Sequence, residues 1–184
     1  MLIRVVLKEG YDIIRVQSLP TRAPEVWRGL GCWPSSDVWS VGVTVSYIPS
    51  YPIGSRLIEQ LTRWLSPSLI FGAKDKIVKG LTEAWCIAKI RRLIGPLGPP
   101  VNPDYEEEFV VAEHLESTTF EHPDTKLGTQ FIKVGTLRQE LEHLEHPKVS
   151  PELIDFIEYL LVMDHTKRPT ASEALQHPYL QSLS

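Results

Sequence analysis

The chain has 184 residues and a mass of 20.9 kDa; it is 42% hydrophobic, 23% charged and 9% aromatic, with 15 prolines and 11 glycines. These ordinary globular proportions exclude collagen-like, disordered and low-complexity classes, and the length suits one domain of roughly 100–200 residues. The net charge of −4 hides an asymmetry: residues 101–125 carry eight acids and no Lys or Arg, and removing those eight from the 23 acids leaves 15 against 19 bases elsewhere, a balance of +4.

At the start of the chain, residues 1–7 are apolar, but Arg4 interrupts them and no small-residue cleavage site follows, so no secretory leader is expected. No apolar run reaches the roughly 18–20 residues that cross a bilayer, and no membrane partner is expected. Short β-branched runs over 3–7 and 13–16 are the only strand candidates. Ser35 or Ser36 is positioned to cap a helix through 37–43, with the Asp37 carboxylate suiting its dipole. Two prolines and a glycine over 47–54 then interrupt the pattern. Helical spacing resumes over 56–65, where Leu57, Leu61 and Trp64 or Leu65 share a face.

Thr82 is placed to cap a helix over 83–94 whose apolar positions are Cys86, Ile90, Leu93 and Ile94, and Gly95-Pro96 ends it. Residues 101–135 read as a long irregular connection. An acidic stretch there is commonly a solvated loop; a docking surface for a basic peptide, centred on Glu106, Glu107 and Glu108, is the functional alternative. Thr136 and Gln139 have capping-box spacing. Ser150-Pro151 opens a helix with the buried stripe Leu153, Ile157, Leu160 and Leu161. Thr170 and Glu173 form a second box, and His177-Pro178 closes that short helix. The body is therefore expected to be mainly α.

Some chemistry is disfavoured outright. Cys32 and Cys86 are far apart and lack C-x-x-C spacing, so reduced thiols of a cytoplasmic or nuclear protein are expected, not a disulfide, redox or zinc site. His143 and His146 lie three apart beside Glu142 and Glu145, but without a third convergent ligand they read as helix-surface polarity, and no metal site is assigned. The acidic balance lacks the basic stripe of a direct nucleic-acid binder.

Two motifs at opposite ends carry the functional signal. Thr21-Arg22-Ala23-Pro24-Glu25-Val26 is followed by Asp37-Val38-Trp39-Ser40-Val41-Gly42; far downstream stands Asp164-His165-Thr166-Lys167-Arg168-Pro169-Thr170-Ala171, continuing through Glu173-Ala174-Leu175-Gln176-His177-Pro178. In this order the motifs resemble the C-terminal lobe of a eukaryotic Ser/Thr protein kinase, over roughly 18–181. Arg22 before Ala23-Pro24-Glu25 resembles the proline-directed and splicing-kinase branch. The stretches 83–90 and 152–156 resemble fungal kinases related to the SR-protein kinases.

The resemblance implies a helical C-lobe in which Glu25 pairs with Arg168, Trp39 fills core, and Ser18, Thr21 and Arg22 lie on the substrate side. Ala23, Pro24, Asp37 and Gly42 are implied as further structural motif positions. Asp37 is implied to receive backbone N–H groups of a catalytic loop, although a helix-start role explains it equally. For Ser18 and Thr21, ordinary loop hydroxyls are an equal alternative, and Thr21 stands where this branch usually has Tyr.

Phosphoryl transfer uses a Gly-rich loop, a strand lysine, an H-R-D base and a D-F-G magnesium ligand. None occurs in this sequence, and Gly29-Leu30-Gly31 is only a loop signal after Pro24-Glu25. The expectation is an incomplete kinase domain with N-lobe and catalytic loop missing. It comprises a divergent segment over 1–17, a partial domain over 18–184 and an insertion at about 47–63. No catalytic residue and no cofactor are assigned to the chain alone. ATP and magnesium are implied for intact kinases of this kind, with protein substrates or basic, Arg-rich peptides as partners. A non-catalytic scaffold is the alternative, and poor solubility of the isolated chain is expected.

Overall fold

Local capping chemistry and apolar spacing define most of the helices. The computed structural model describes residues 15–46, 70–121, 127–144 and 148–182. The strand candidate at 3–7, all of 13–16 but Arg15 and Val16, the turn at 47–54, the helix at 56–65 and the insertion at 47–63 lie outside those residues, as does His146.

Among the described residues the helices are α1 (Pro24–Arg28), α2 (Pro34–Ser46), α3 (Thr82–Leu93), α4 (Glu106–Ser117), α5 (Leu137–Glu142), α6 (Pro151–Leu160), α7 (Ala171–Leu175) and α8 (Pro178–Gln181). Single 3-10 turns occupy Leu19–Thr21 and Pro103–Tyr105. Two three-residue strands, β1 (Thr119–Glu121) and β2 (Gly128–Gln130), pair antiparallel with Phe120 opposite Thr129. The mainly helical architecture agrees with the sequence reading.

Two capping boxes form as their spacing predicts. Thr136 accepts from the Gln139 N–H while Gln139 reaches back, and Thr170 and Glu173 do the same for α7. Ser150 accepts the Leu153 N–H at the start of α6, with Pro151 in the first helical position. That helix buries Leu153, Ile154, Phe156, Ile157 and Leu160.

Three expected boundaries change. Helix α2 begins at Pro34, so Ser36 serves its start from inside the first turn, where its Oγ accepts the Trp33 N–H at 2.9 Å. Thr82 is the first residue of α3, and Leu81 is the cap. His177-Pro178 ends one helix and opens another: His177 Nδ1 accepts from the Tyr179 N–H at 3.3 Å.

The largest correction concerns 101–135, which is not an irregular connection. Asn102 caps the 3-10 turn by accepting the Asp104 N–H at 3.0 Å. Helix α4 follows, burying Phe109, Ala112 and Leu115 at three-residue intervals against α3. Glu106, Glu107 and Glu108 occupy its first turn, where carboxylates favour the helix dipole. Arg91 Nε to Glu116 at 2.6 Å adds an ion pair between α3 and α4. The hairpin follows, with Phe131 packed on Phe120 at 4.7 Å between ring centroids and edge-on to Trp85 at 6.4 Å.

The core is one cluster drawn from α1, α2, α3, α4, α6 and the segment before α3, and it contains the fully buried Trp27, Trp39, Trp85, Phe71, Ile87 and Ile157. Gly42 sets the approach of α2 to α6: a Cβ there would lie 2.8 Å from Leu161 Cδ2 and 2.9 Å from Leu160 Cβ. Cys86 is buried and Cys32 half-buried, and both are free thiols. Burial pushes the Cys86 thiol up to about 12 and raises that of Cys32.

Candidate functional site

The segment from Arg15 to Arg28 is fastened to the helical body by polar side chains that have almost no access to water. Pro24 starts α1, whose first turn carries Glu25; Gly29, at φ +78°, ends it. Arg168, 143 positions later, donates Nη1 to Glu25 Oε1 at 2.8 Å and Nη2 to Oε2 at 2.9 Å. The side chains of Arg168 and Glu25 are 0% and 1% exposed. Ser36 Oγ donates to Glu25 Oε1 at 2.5 Å. Arg168 also donates to the carbonyls of Ser35 (2.7 Å) and Val162 (2.9 Å) and lies 5.2 Å from the Trp39 ring centroid. A planar guanidinium matches a carboxylate at two points, which lysine cannot do. The network joins α1, the start of α2 and the turn before α7.

The chain before α1 is held by a residue that sequence reasoning missed. Gln17 has φ +73°, uncommon for a residue with a Cβ. Its amide donates to Ser36 O at 3.0 Å and Ser40 Oγ at 2.9 Å, while its carbonyl oxygen accepts the Ala23 N–H at 3.0 Å. Three bonds to fixed partners stabilise that backbone conformation. The next residue, Ser18, is exposed, and its hydroxyl is 2.7 Å from that of half-buried Thr21. The pair sits on the 3-10 turn Leu19–Thr21 at the surface.

Arg22 faces inward. It is buried and donates to the carbonyls of Arg15, Val16 and Gln17 at 3.2–3.3 Å. Its guanidinium lies 4.4 Å from the Trp27 ring centroid. Burial, then the neighbouring Arg15 charge, lowers its pKa. Arg22 thus braces the segment that presents Ser18 and Thr21. Ala23 is fully buried, and Asp37 is exposed in the first turn of α2, where its charge favours the helix dipole.

The three candidate docking acids are not equivalent. Glu106 and Glu107 are exposed, while Glu108 is half-buried and ion-paired with Arg15. Arg15 also stacks on Tyr105, its guanidinium carbon 3.5 Å from the ring centroid. Neither Arg15 nor Tyr105 stands out in the sequence, because no local spacing announces a contact over this separation. His143 stands at the C-cap of α5 and bonds back to the Gln139 carbonyl. Among the described residues no group of three or more His, Cys, Asp or Glu could hold a metal ion, and no helix is long and apolar enough to cross a membrane.

A solved kinase-domain structure superposes on 95% of this chain and 44% of its own, at a TM-score of 0.51 and 20% identity. The fold is that of a protein kinase C-terminal lobe. The sequence relatives are likewise protein kinases. Mitogen-activated protein kinase 5 of Oryza sativa is 30% identical over 138 residues, covering 67% of this chain and 35% of that protein. Mitogen-activated protein kinase 13 of Arabidopsis thaliana is 27% identical over 140 residues, again 67% of this chain and 35% of the relative. A probable serine/threonine-protein kinase of Dictyostelium discoideum is 58% identical over 76 residues, 39% of this chain and 10% of its own length. The kinase C-lobe described here thus spans about a third of the length of the two plant kinases (35% of each). No family model matches the chain.

Proposed function

We propose that this C-lobe is the substrate-facing part of a protein Ser/Thr kinase of the SR-protein-kinase-like kind, without phosphoryl-transfer activity of its own. The observation that carries the reading is the buried Glu25–Arg168–Ser36 network, which fixes the segment presenting Ser18 and Thr21. Intact kinases of this kind use ATP and magnesium to phosphorylate a protein hydroxyl. Here the sequence supplies no H-R-D or D-F-G group for that chemistry. Ser18, Thr21 and the Arg22 brace belong to the peptide side, and Arg-rich protein segments are the proposed partners.

A second reading, a non-catalytic scaffold for basic peptides, is favoured by exposed Glu106 and Glu107 at the start of α4. The scaffold reading places the peptide on this acidic face, and both readings keep the protein away from membranes and nucleic acid, in the cytoplasm or nucleus. The test is titration of an Arg-Ser repeat peptide at two ionic strengths. Binding should weaken with salt and fall several-fold in the E106Q/E107Q double variant. Binding that is indifferent to salt and to both substitutions would refute the acidic docking face.

A further inference from the structure

The Arg15 side chain lies in surroundings built for a guanidinium. One Nη pairs with the Glu108 carboxylate, the other donates to the Trp27 carbonyl at 3.0 Å. The face of the group covers the Tyr105 ring, 3.5 Å from its centroid, and lies 5.1 Å from that of Trp27. The side chain is 11% exposed, and Nε is buried without a partner. A carboxylate, a carbonyl and an aromatic face together select a planar, weakly hydrated cation with several donors over a compact ammonium. The surroundings are acidic and open: Asp104, Glu106 and Glu107 are all exposed next to Tyr105 and Glu108 in sequence.

We propose that Tyr105, Glu108 and the Trp27 carbonyl form an arginine-binding socket, that Arg15 is its resident occupant, and that an arginine of an incoming basic peptide displaces it. The proposal rests on the acidic docking face described above and adds its regulation. The chain's own arginine competes with the ligand at the one docking carboxylate that is half-buried. A tethered competitor acts at an effective concentration in the millimolar range, so a free peptide arginine gains the socket only when neighbouring arginines engage Glu106 and Glu107. Peptides with several arginines are therefore favoured over those with one.

The test uses the full chain and an Arg-Ser repeat peptide. Removing the occupant by R15A should tighten binding by at least about tenfold. R15K, which keeps charge and stem but not the planar fork, should tighten it in the same direction. Adding E108Q to either variant should abolish the gain. Independently, millimolar ethylguanidinium should raise the melting temperature of R15A but not of the wild type or of R15A/E108Q, and ethylammonium should have no effect. Salt-sensitive peptide binding that is unchanged in both R15A and R15K overturns the displacement proposal and leaves the docking face intact. No peptide binding by wild type, R15A or R15K overturns the docking face and the peptide occupant with it, and guanidinium-selective rescue of R15A then upholds the socket alone. Equal stabilisation of wild type and R15A by ethylguanidinium refutes the socket.

Discussion

Replacing Glu25 with Ala removes both charge-assisted bonds to Arg168 and the acceptor for Ser36 Oγ. Arg168 keeps its bonds to the Ser35 and Val162 carbonyls, but its charge is left without a carboxylate at a side chain that is 0% exposed. Breaking one side of such a pair costs about 3–5 kcal/mol. That is a large share of the roughly 5–15 kcal/mol available to an ordinary domain. At about 2–4 °C per kcal/mol for a chain of this size, the melting temperature should fall by about 6–20 °C. Urea unfolding followed by tryptophan fluorescence measures the loss. A combined Glu25→Leu and Arg168→Met variant should recover much of it, because apolar replacement of a whole buried pair is often close to neutral. Losses below about 1 kcal/mol for both E25A and R168M would refute the idea that this pair fastens the segment to the helical body.

Three further outcomes follow from the geometry. Gly42→Ala gains helix propensity but forces a Cβ to within 2.8 Å of Leu161 Cδ2, so a net loss of roughly 1–2 kcal/mol is expected in urea unfolding. Cys86, pushed up to about 12 by burial, should resist alkylation at pH 8 until the protein unfolds, with Cys32 labelling first. Glu173 accepts from the Thr170 N–H and hydroxyl, which lowers its pKa below the usual glutamate value. The stabilisation is therefore present above the unfolded-state pKa and fades as pH falls through the lower folded value; a carboxyl NMR titration should show the depressed pKa, and E173Q should remove this contribution.

What the sequence revealed and what it hid follow from the range of each interaction. The Thr136–Gln139 and Thr170–Glu173 boxes close within three residues, so residue type and spacing suffice to find them. Helix α4 is hidden in the sequence because consecutive Glu106, Glu107 and Glu108 suggest a solvated loop. The three-residue spacing of Phe109, Ala112 and Leu115 was the available signal. Ser36 reads as a helix-start residue, but its bond to Glu25 depends on how α1 meets α2. Only the kinase resemblance implies the Glu25–Arg168 pairing, because its partners stand 143 positions apart. Arg15 and Gln17 were hidden because their partners come from elements brought together only by folding.

The division of labour proposed for this C-lobe is tested most directly by calorimetric titration with magnesium-ATP, in the presence and absence of an Arg-Ser repeat peptide. The peptide should bind, and ATP should produce no saturable heat at millimolar concentration under either condition. Saturable ATP binding by the chain alone would contradict the assignment of this C-lobe to the peptide side of the kinase.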